Sequence, residues 1–185
     1  MKVLFLTTQF PYPLDNGGKI GAINGISVVS ELYDTTVVSF CESPEIVEEG
    51  IRYLNKKLPR VQFLNPIIHD VHIRRKPIKL IRAMGFNYLH NVPYVSAKFE
   101  NREMYKLIDD LFYNCKWDII FVDYLNMSRY GEYIRSTHSD KYGLFIFKDH
   151  NVEYEIIKQA VESSKGIKRA ILNSEWKRTK KFEEK

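Results

Sequence analysis

Cysteine is scarce in this chain: among 185 residues there are two, Cys41 and Cys115. Neither belongs to a Cys-x-x-Cys or Cys/His pattern, which argues against a structural zinc site and for a reducing compartment. The sequence also lacks a run of about 18 apolar residues, so no membrane-spanning helix is expected. No small-residue cleavage site follows the first apolar run, so no signal peptide is predicted. The expected location is therefore the cytoplasm.

An excess of charge of one sign is missing from most of the chain. The formal net charge is +5, and residues 165–185, with eight Lys or Arg and three Glu, account for all of it. Nucleic-acid binding through this basic segment is the weakest interpretation, because Trp176 and Phe182 are its only aromatic side chains. We therefore expect no nucleic-acid partner.

Hydrophobic residues make up 44% of the chain, which is typical of a globular protein with one sizeable core. Five short apolar runs alternate with segments of helical spacing. The runs are Val3–Leu6, Thr35–Phe40, Val61–Leu64, Ile119–Val122 and Leu144–Phe147. This alternation predicts βαβ units and an α/β fold with a mostly parallel sheet. We expect one domain over residues 1–164, followed by a basic helix over residues 165–185.

A glycine pair, Gly17 and Gly18, follows the first predicted strand and a loop that contains Pro11 and Pro13. Glycines at the start of a helix leave its backbone N–H groups open to a phosphate or a sugar. Eight residues separate Thr8 from Gly17, whereas the dinucleotide fingerprint places its glycines directly after the strand. A nicotinamide enzyme is therefore not expected, and a flexible turn is the alternative interpretation of the pair.

Ligands of parallel α/β sheets bind at the carboxyl ends of the strands. In this chain the rule selects the loops that begin near Thr8, Cys41, Asp123 and Lys148. Asp123 follows the predicted fourth strand, where its carboxylate can accept a hydrogen bond from a substrate hydroxyl or act as a base. A carboxylate that caps the next helix is an equally good interpretation.

Three segments, MKVLFLTTQFPYPLDNGGKI, FKDHNVEYEIIK and SEWKRTKKFEEK, occur in this order along the chain. Together they resemble the N-terminal half of family 4 glycosyltransferases of the GT-B type. The resemblance covers essentially the whole chain, and residues 42–95 diverge most. It implies a Rossmann-like three-layer sandwich, one half of a GT-B fold, that receives the acceptor. The donor nucleotide-sugar would bind mainly to a C-terminal domain that this sequence does not include, so the chain alone is expected to be inactive.

The activity that this resemblance implies is that of a retaining glycosyltransferase of the hexosyltransferase type. It would move a sugar from a nucleotide-sugar to a glycan or lipid-linked acceptor in cell-envelope polysaccharide synthesis, without a cofactor or a metal. His150 is implied as a catalytic residue beside the transferred sugar, and Asp123 is the second catalytic candidate. The candidates for substrate binding are Asn16, Gly17, Gly18, Tyr124, Asn151 and Glu153.

Several alternatives stay open at this point. His150 and its neighbours Asp149 and Asn151 can instead cap a helix predicted over Val152–Ala160. The whole chain can instead be a non-catalytic module that binds carbohydrate or a partner subunit. Glu175 and Glu183 match a Glu-x7-Glu spacing that the family carries in its other domain. We interpret that match as a coincidence, with both glutamates paired to cations along the basic helix.

A basic segment over residues 72–82 contains five Lys or Arg and no acid. The cations are Arg74, Arg75, Lys76, Lys79 and Arg82. Such a segment can lie on an anionic lipid surface, where each basic residue contributes about 1 kcal/mol. We therefore predict peripheral attachment to the cytoplasmic membrane, with a solvated cationic helix as the alternative. The spacing of His69, Asp70 and His72 is nonspecific, and no metal is expected there.

Overall fold

The computed structural model describes residues 1–70, 85 and 87–184. The chain divides into two compact units. The first unit comprises Met1–Asp70 and Asn101–Lys148, and the second comprises Val71–Glu100 and Asp149–Lys185. The predicted separation of residues 1–164 from residues 165–185 stays a prediction.

The first unit contains a sheet whose strands all pair in parallel over the described residues. The strands are β1 (Lys2–Thr7), β2 (Asp34–Cys41), β3 (Val61–Phe63), β4 (Ile67–Ile68), β5 (Trp117–Asp123) and β6 (Tyr142–Lys148). Their order is β3-β2-β1-β5-β6, and β4 pairs with β2 beyond β3. The predicted α/β fold with a parallel sheet is confirmed.

Each of the five apolar runs overlaps a strand of this sheet. The sequence pattern missed β4, because a strand of two residues is too short to show a periodicity. The strand that ends at Asp123 is consequently the fifth and not the fourth, and the segment with His150 follows the sixth.

Seven helices have defined bounds within the described residues. They are α1 (Gly17–Leu32), α2 (Val47–Lys57), α3 (Tyr94–Ala97), α4 (Arg102–Asn114), α5 (Ser128–Thr137), α6 (Glu153–Glu162) and α7 (Gly166–Glu183). The predicted helix after the glycine pair, the helix after residue 152 and the basic helix near the end of the sequence are therefore confirmed. Short 3-10 turns at Pro44–Ile46 and Leu125–Met127 precede α2 and α5.

Helices cover both faces of the sheet in the first unit. The ring of Phe5 stacks on Phe121 at 4.5 Å between centroids, and it lies against Gly25 of α1. The next residue of β5, Val122, lies against Gly131 of α5. Because successive side chains of a strand point to opposite faces, α1 and α5 lie on opposite sides. This arrangement is a Rossmann-like three-layer sandwich.

The Pro-containing loop after β1 is fixed by contacts within the first unit. Phe10 is buried, and its backbone N–H donates to Phe40 O at 2.7 Å. Gly50 of α2 lets the Phe10 ring approach, since a Cβ at this position would overlap the ring. Tyr12 Oη donates to Glu49 Oε1 at 2.6 Å. These contacts set the course of the loop that leads to the glycine pair.

In the second unit, a glutamate of α7 provides the cap of α6. The N-cap residue of α6 is Val152, which has no side-chain oxygen to offer. Glu183 supplies the missing acceptors, because its Oε1 accepts from Glu153 N at 2.8 Å and its Oε2 from Tyr154 N at 3.2 Å. The predicted pairing of Glu183 with cations is therefore replaced by hydrogen bonds to two backbone amides.

Glu175 of α7 has a comparable role at the start of α3. Its carboxylate accepts hydrogen bonds from Tyr94 N and from Asn87 Nδ2. It also pairs with Arg178 at 2.6 Å, one turn further along α7. The predicted pairing of this glutamate with a cation along the helix is thus confirmed.

Candidate functional site

Three strands of the first unit place polar side chains side by side where the strands end. Asp123 of β5 lies in register with Lys148 of β6, and Thr7 ends β1 on the other side. Thr7 Oγ1 donates to Asp123 Oδ2 at 3.3 Å, and Lys148 Nζ lies 3.8 Å from Asp123 Oδ1. The side chain of Asp123 is 0% exposed. The carboxyl edge of the sheet therefore holds a buried carboxylate between a hydroxyl and an ammonium group.

The helix-capping interpretation of Asp123 stays a prediction. Tyr124 and Met127 are the N-cap residues of the 3-10 turn at Leu125–Met127 and of α5, and neither caps with its side chain. A fully buried carboxylate is costly unless it is paired and hydrogen-bonded, and Thr7 and Lys148 provide those partners.

The glycine pair forms the first turn of α1. Asn16 is the N-cap residue, and its Oδ1 accepts from Lys19 N at 3.0 Å. Gly17 and Gly18 follow as the first helical residues, so the flexible-turn interpretation was wrong. The first N–H groups of a helix have no partner inside the helix. Asn16 provides the acceptor for the amide of Lys19. From the sequence, Asn16 was considered only as a substrate-binding residue, and this capping role was not predicted.

The two glycines differ in how closely other groups approach them. A Cβ at Gly18 would lie 3.3 Å from both Tyr124 Oη and Asn16 Oδ1. At Gly17 no heavy atom of the described part of the chain would lie within 4 Å of a Cβ. Tyr124 Oη also donates to Gly18 O at 3.3 Å. A Cβ at position 18 would therefore require one of these side-chain oxygens to shift by a few tenths of an ångström, whereas position 17 has room for one.

Tyr124 directly follows the buried Asp123 and has an unusual backbone. Its φ is 77° and its ψ is 145°, a conformation that L-residues adopt rarely and at a cost of about 1–3 kcal/mol. Its N–H donates to Lys148 O at 2.9 Å, which helps to hold the turn. Burial, and secondly the charge of Asp123, raises the pKa of the Tyr124 phenol. The hydroxyl is therefore neutral at physiological pH and can donate.

The carboxyl edge of the first unit thus combines acceptors and donors that suit a polar ligand. Tyr124 provides a half-buried hydroxyl and the start of α1 its backbone N–H groups, while the Asp123 carboxylate is fully buried. Sequence reasoning missed Thr7 and Lys148 as partners of Asp123. Their signal was available, since each is the polar residue that ends an apolar strand.

The remaining candidate residues lie in the second unit, in the segment that leads into α6. His150 is half-buried, and its backbone N–H donates to Asp149 Oδ1 at 2.8 Å. Neither His150 nor its two neighbours is the N-cap of α6, so the capping interpretation of this segment was wrong.

Glu153, the first residue of α6, has a raised pKa. Burial is the main cause and the charge of Asp149 adds to it, while a hydrogen bond from Asn151 and the charge of Lys98 act in the opposite direction. Asn151 itself is exposed. Glu153 is half-buried, which the sequence gave no sign of.

The predicted site residues are therefore distributed over both units. Asn16, Gly17, Gly18, Asp123 and Tyr124 belong to the first unit, and the first unit brings Gly18, Tyr124 and Asp123 together. The second unit holds His150, Asn151 and Glu153. The predicted membrane-facing residues Arg74, Arg75, Lys76, Lys79 and Arg82 lie outside the described residues.

Residues 1–70, 85 and 87–184 contain no group of three His, Cys, Asp or Glu side chains arranged to hold a metal ion. None of their helices is both long enough and apolar enough to cross a membrane. Comparison of the chain with protein-family models, curated proteins and solved structures gave no match.

Proposed function

We propose that this chain is the acceptor-binding domain of a retaining glycosyltransferase. The enzyme moves a sugar from a nucleotide-sugar to a glycan or lipid-linked acceptor. The observation that carries the proposal is the buried Asp123 carboxylate, held between Thr7 and Lys148 at the carboxyl edge of a parallel sheet. The resemblance of three sequence segments to family 4 glycosyltransferases supports it. Ligands of such sheets bind at this edge.

The chemistry of this edge suits an acceptor with hydroxyl groups. Asp123 accepts a hydrogen bond from an acceptor hydroxyl in this proposal. The oxygen of Tyr124, whose proton is donated to Gly18 O, accepts another. The open N–H groups of Gly17 and Gly18 attract a phosphate of the donor or of a lipid-linked acceptor. Together these groups bind and orient the acceptor.

His150 serves the transfer step itself in this proposal. Glycosyl transfer separates positive charge on the sugar from negative charge on the departing diphosphate. Dipoles aimed at these developing charges stabilise the transition state. The imidazole provides such a dipole beside the transferred sugar, and Asn151 and Glu153 bind sugar hydroxyls or orient the ring.

The basic segment over residues 72–82 docks the enzyme on the cytoplasmic membrane in this proposal. Its five cations and its lack of acids suit an anionic lipid surface. Sedimentation with vesicles of pure phosphatidylcholine and with vesicles that also contain phosphatidylglycerol tests this part. We expect binding to the anionic vesicles only, and equal binding to both vesicle types would overturn it.

Calorimetric titration of the full chain tests the acceptor site. The ligands are a panel of soluble oligosaccharides and a sugar linked to a short-chain prenyl diphosphate. The resemblance concerns only the acceptor half of the enzyme, so binding is the appropriate readout and turnover is not. We expect saturable binding of at least one ligand.

Gly18→Ala and Gly17→Ala form a matched pair for this titration. The added methyl group at position 18 must displace Tyr124 Oη or Asn16 Oδ1, whereas position 17 has room for it. We expect Gly18→Ala to weaken binding about tenfold, the effect of one lost hydrogen bond, and Gly17→Ala to bind like the wild type. Absence of binding to every ligand, or equal affinity of the two variants, would overturn the proposal.

A further inference from the structure

In the second unit, α7 exposes aliphatic side chains together with cations. Ile167 is 82% exposed and Ile171 is 54% exposed. The two lie four positions apart in the helix, so they project from the same side of it. Five exposed cations accompany them on α7 and at its N-cap: Lys165, Lys168, Arg169, Lys177 and Lys181. We call these two isoleucines and five cations the exposed surface of α7.

The acids of α7 do not neutralise this surface, because contacts within the second unit occupy both of them. Glu183 caps α6, and Glu175 accepts from Tyr94 N and pairs with Arg178. Both glutamates are half-buried, and residues 165–182, all of which the structure describes, contain no exposed acid. The nearest exposed acids along the sequence are Glu162 and Glu184. The exposed surface of α7 therefore carries charge of one sign.

The start of α7 projects from its surroundings and does not line a groove. Residues 165–171 are exposed one after another, and exposed aliphatic side chains gain free energy when they leave water. A surface of this size falls short of the roughly 1,000 Å² that a specific protein interface buries. A bilayer requires no such area, since each inserted aliphatic side chain and each cation near an anionic head group adds to the affinity.

We propose that the exposed surface of α7 binds an anionic lipid bilayer, with the helix lying along the membrane surface. Ile167 and Ile171 enter the boundary between head groups and acyl chains, and the cations contact the lipid phosphates. Their long side chains can reach the phosphates while the stems cover apolar surface. A nucleic acid would also attract the cations, but its single strands bind through aromatic stacking, which isoleucine does not offer. This inference depends neither on the proposed transferase activity nor on residues 72–82.

Vesicle sedimentation of the full chain tests the role of the isoleucines. The vesicles are of phosphatidylcholine, with and without phosphatidylglycerol. The double variant Ile167→Gln with Ile171→Gln removes both aliphatic side chains and keeps a good helix former. Val28→Gln with Leu32→Gln is the matched control on α1, because these residues are 65% and 76% exposed at the same spacing and lie next to Glu31. We expect the α7 pair to bind anionic vesicles about tenfold more weakly than the wild type, and the α1 pair to bind like it.

A second pair of variants tests the role of the cations. Lys168→Gln with Arg169→Gln removes two charges from α7, and we expect binding to anionic vesicles to weaken about thirtyfold. Lys56→Gln with Lys57→Gln removes two exposed charges from α2 and should bind close to the wild type. All four double variants keep residues 72–82 intact, so a loss confined to the α7 pairs cannot come from that segment.

Three outcomes overturn the proposal. The wild type does not bind anionic vesicles, it binds both vesicle types equally, or the α7 pairs bind like their controls. A fluorescent DNA duplex is the competing probe: if Lys168→Gln with Arg169→Gln abolishes DNA binding and leaves vesicle binding unchanged, the surface belongs to a nucleic-acid site. None of these outcomes affects the acceptor site, because Gly18 and Asp123 belong to the first unit and calorimetry tests them separately.

Discussion

At the scale of single residues, the carboxylate of Asp123 has the most demanding environment at the carboxyl edge. Its side chain is 0% exposed, and it lies 3.3 Å from a threonine hydroxyl and 3.8 Å from a lysine ammonium. Burying a charge costs free energy, and the ion pair and hydrogen bond with these partners offset that cost only in part. Thr7 and Lys148 therefore help the folded state to tolerate this acid.

Asp123→Asn tests this dependence. The amide keeps the shape and one acceptor oxygen but loses the charge that pairs with Lys148. We expect the variant to lose about 1–3 kcal/mol of unfolding free energy, as when a hydrogen bond to a charged group is removed. Asp140→Asn, a change of the same kind at an exposed position, should stay within about 0.5 kcal/mol. Urea unfolding measures both, and similar values for the two variants would contradict this account of Asp123.

A second residue-scale prediction concerns the pH dependence of stability through Glu153. Its pKa is raised above the ordinary value of 4.5, chiefly by burial. The folded protein then binds this proton more tightly than the unfolded chain. The penalty for the ionised form is absent below the ordinary pKa and develops as the pH rises through the raised pKa.

Glu153→Gln removes this penalty, because the amide stays neutral at every pH. We expect a higher Tm than that of the wild type near pH 7, and a difference that disappears near pH 4. Thermal unfolding across this range measures the effect. A constant difference, or a variant that is less stable at neutral pH, would show that the ionised carboxylate is not destabilising.

At the scale of secondary-structure elements, acidic side chains of α7 cap other helices of the second unit. Glu183 accepts from the first two backbone amides of α6, at 2.8 and 3.2 Å. The sequence could not reveal this contact, because the two residues of each hydrogen bond are about thirty positions apart and a local capping pattern is absent. Only the packing of α6 on α7 creates it.

Glu183→Ala should remove this cap and leave the first amides of α6 without an acceptor. We expect a loss of about 1 kcal/mol, the usual effect of deleting an N-cap side chain. The neighbouring Glu184→Ala provides the control, since that side chain is exposed and forms only a 3.7 Å pair with Lys180. If chemical denaturation finds both variants equally stable, Glu183 does not cap α6 in solution.

At the scale of the whole molecule, the sheet could be predicted from sequence and most of the site could not. Val3 to Leu6 form a continuous apolar run, and burial on both faces is the usual reason for such a run. Helix starts at the glycine pair and after Val152 were also predictable. By contrast, β4 is too short to give a pattern, and the contact of Gly18 with Tyr124 joins residues 106 positions apart. Candidate site residues were therefore found singly, while their partners Thr7 and Lys148 appeared only in the fold.

The central claim is that the carboxyl edge of the first unit binds a sugar-bearing acceptor. The most direct test is a ¹H–¹⁵N correlation spectrum of the full chain, recorded during titration with the ligand that binds most tightly in the calorimetric panel. We expect the backbone amide resonances of Gly17, Gly18 and Tyr124 to shift, with saturation at the calorimetric affinity. Shifts confined to residues at the amino ends of the strands, such as Trp117, or amides of the glycine pair that stay in place at saturation, would contradict the claim.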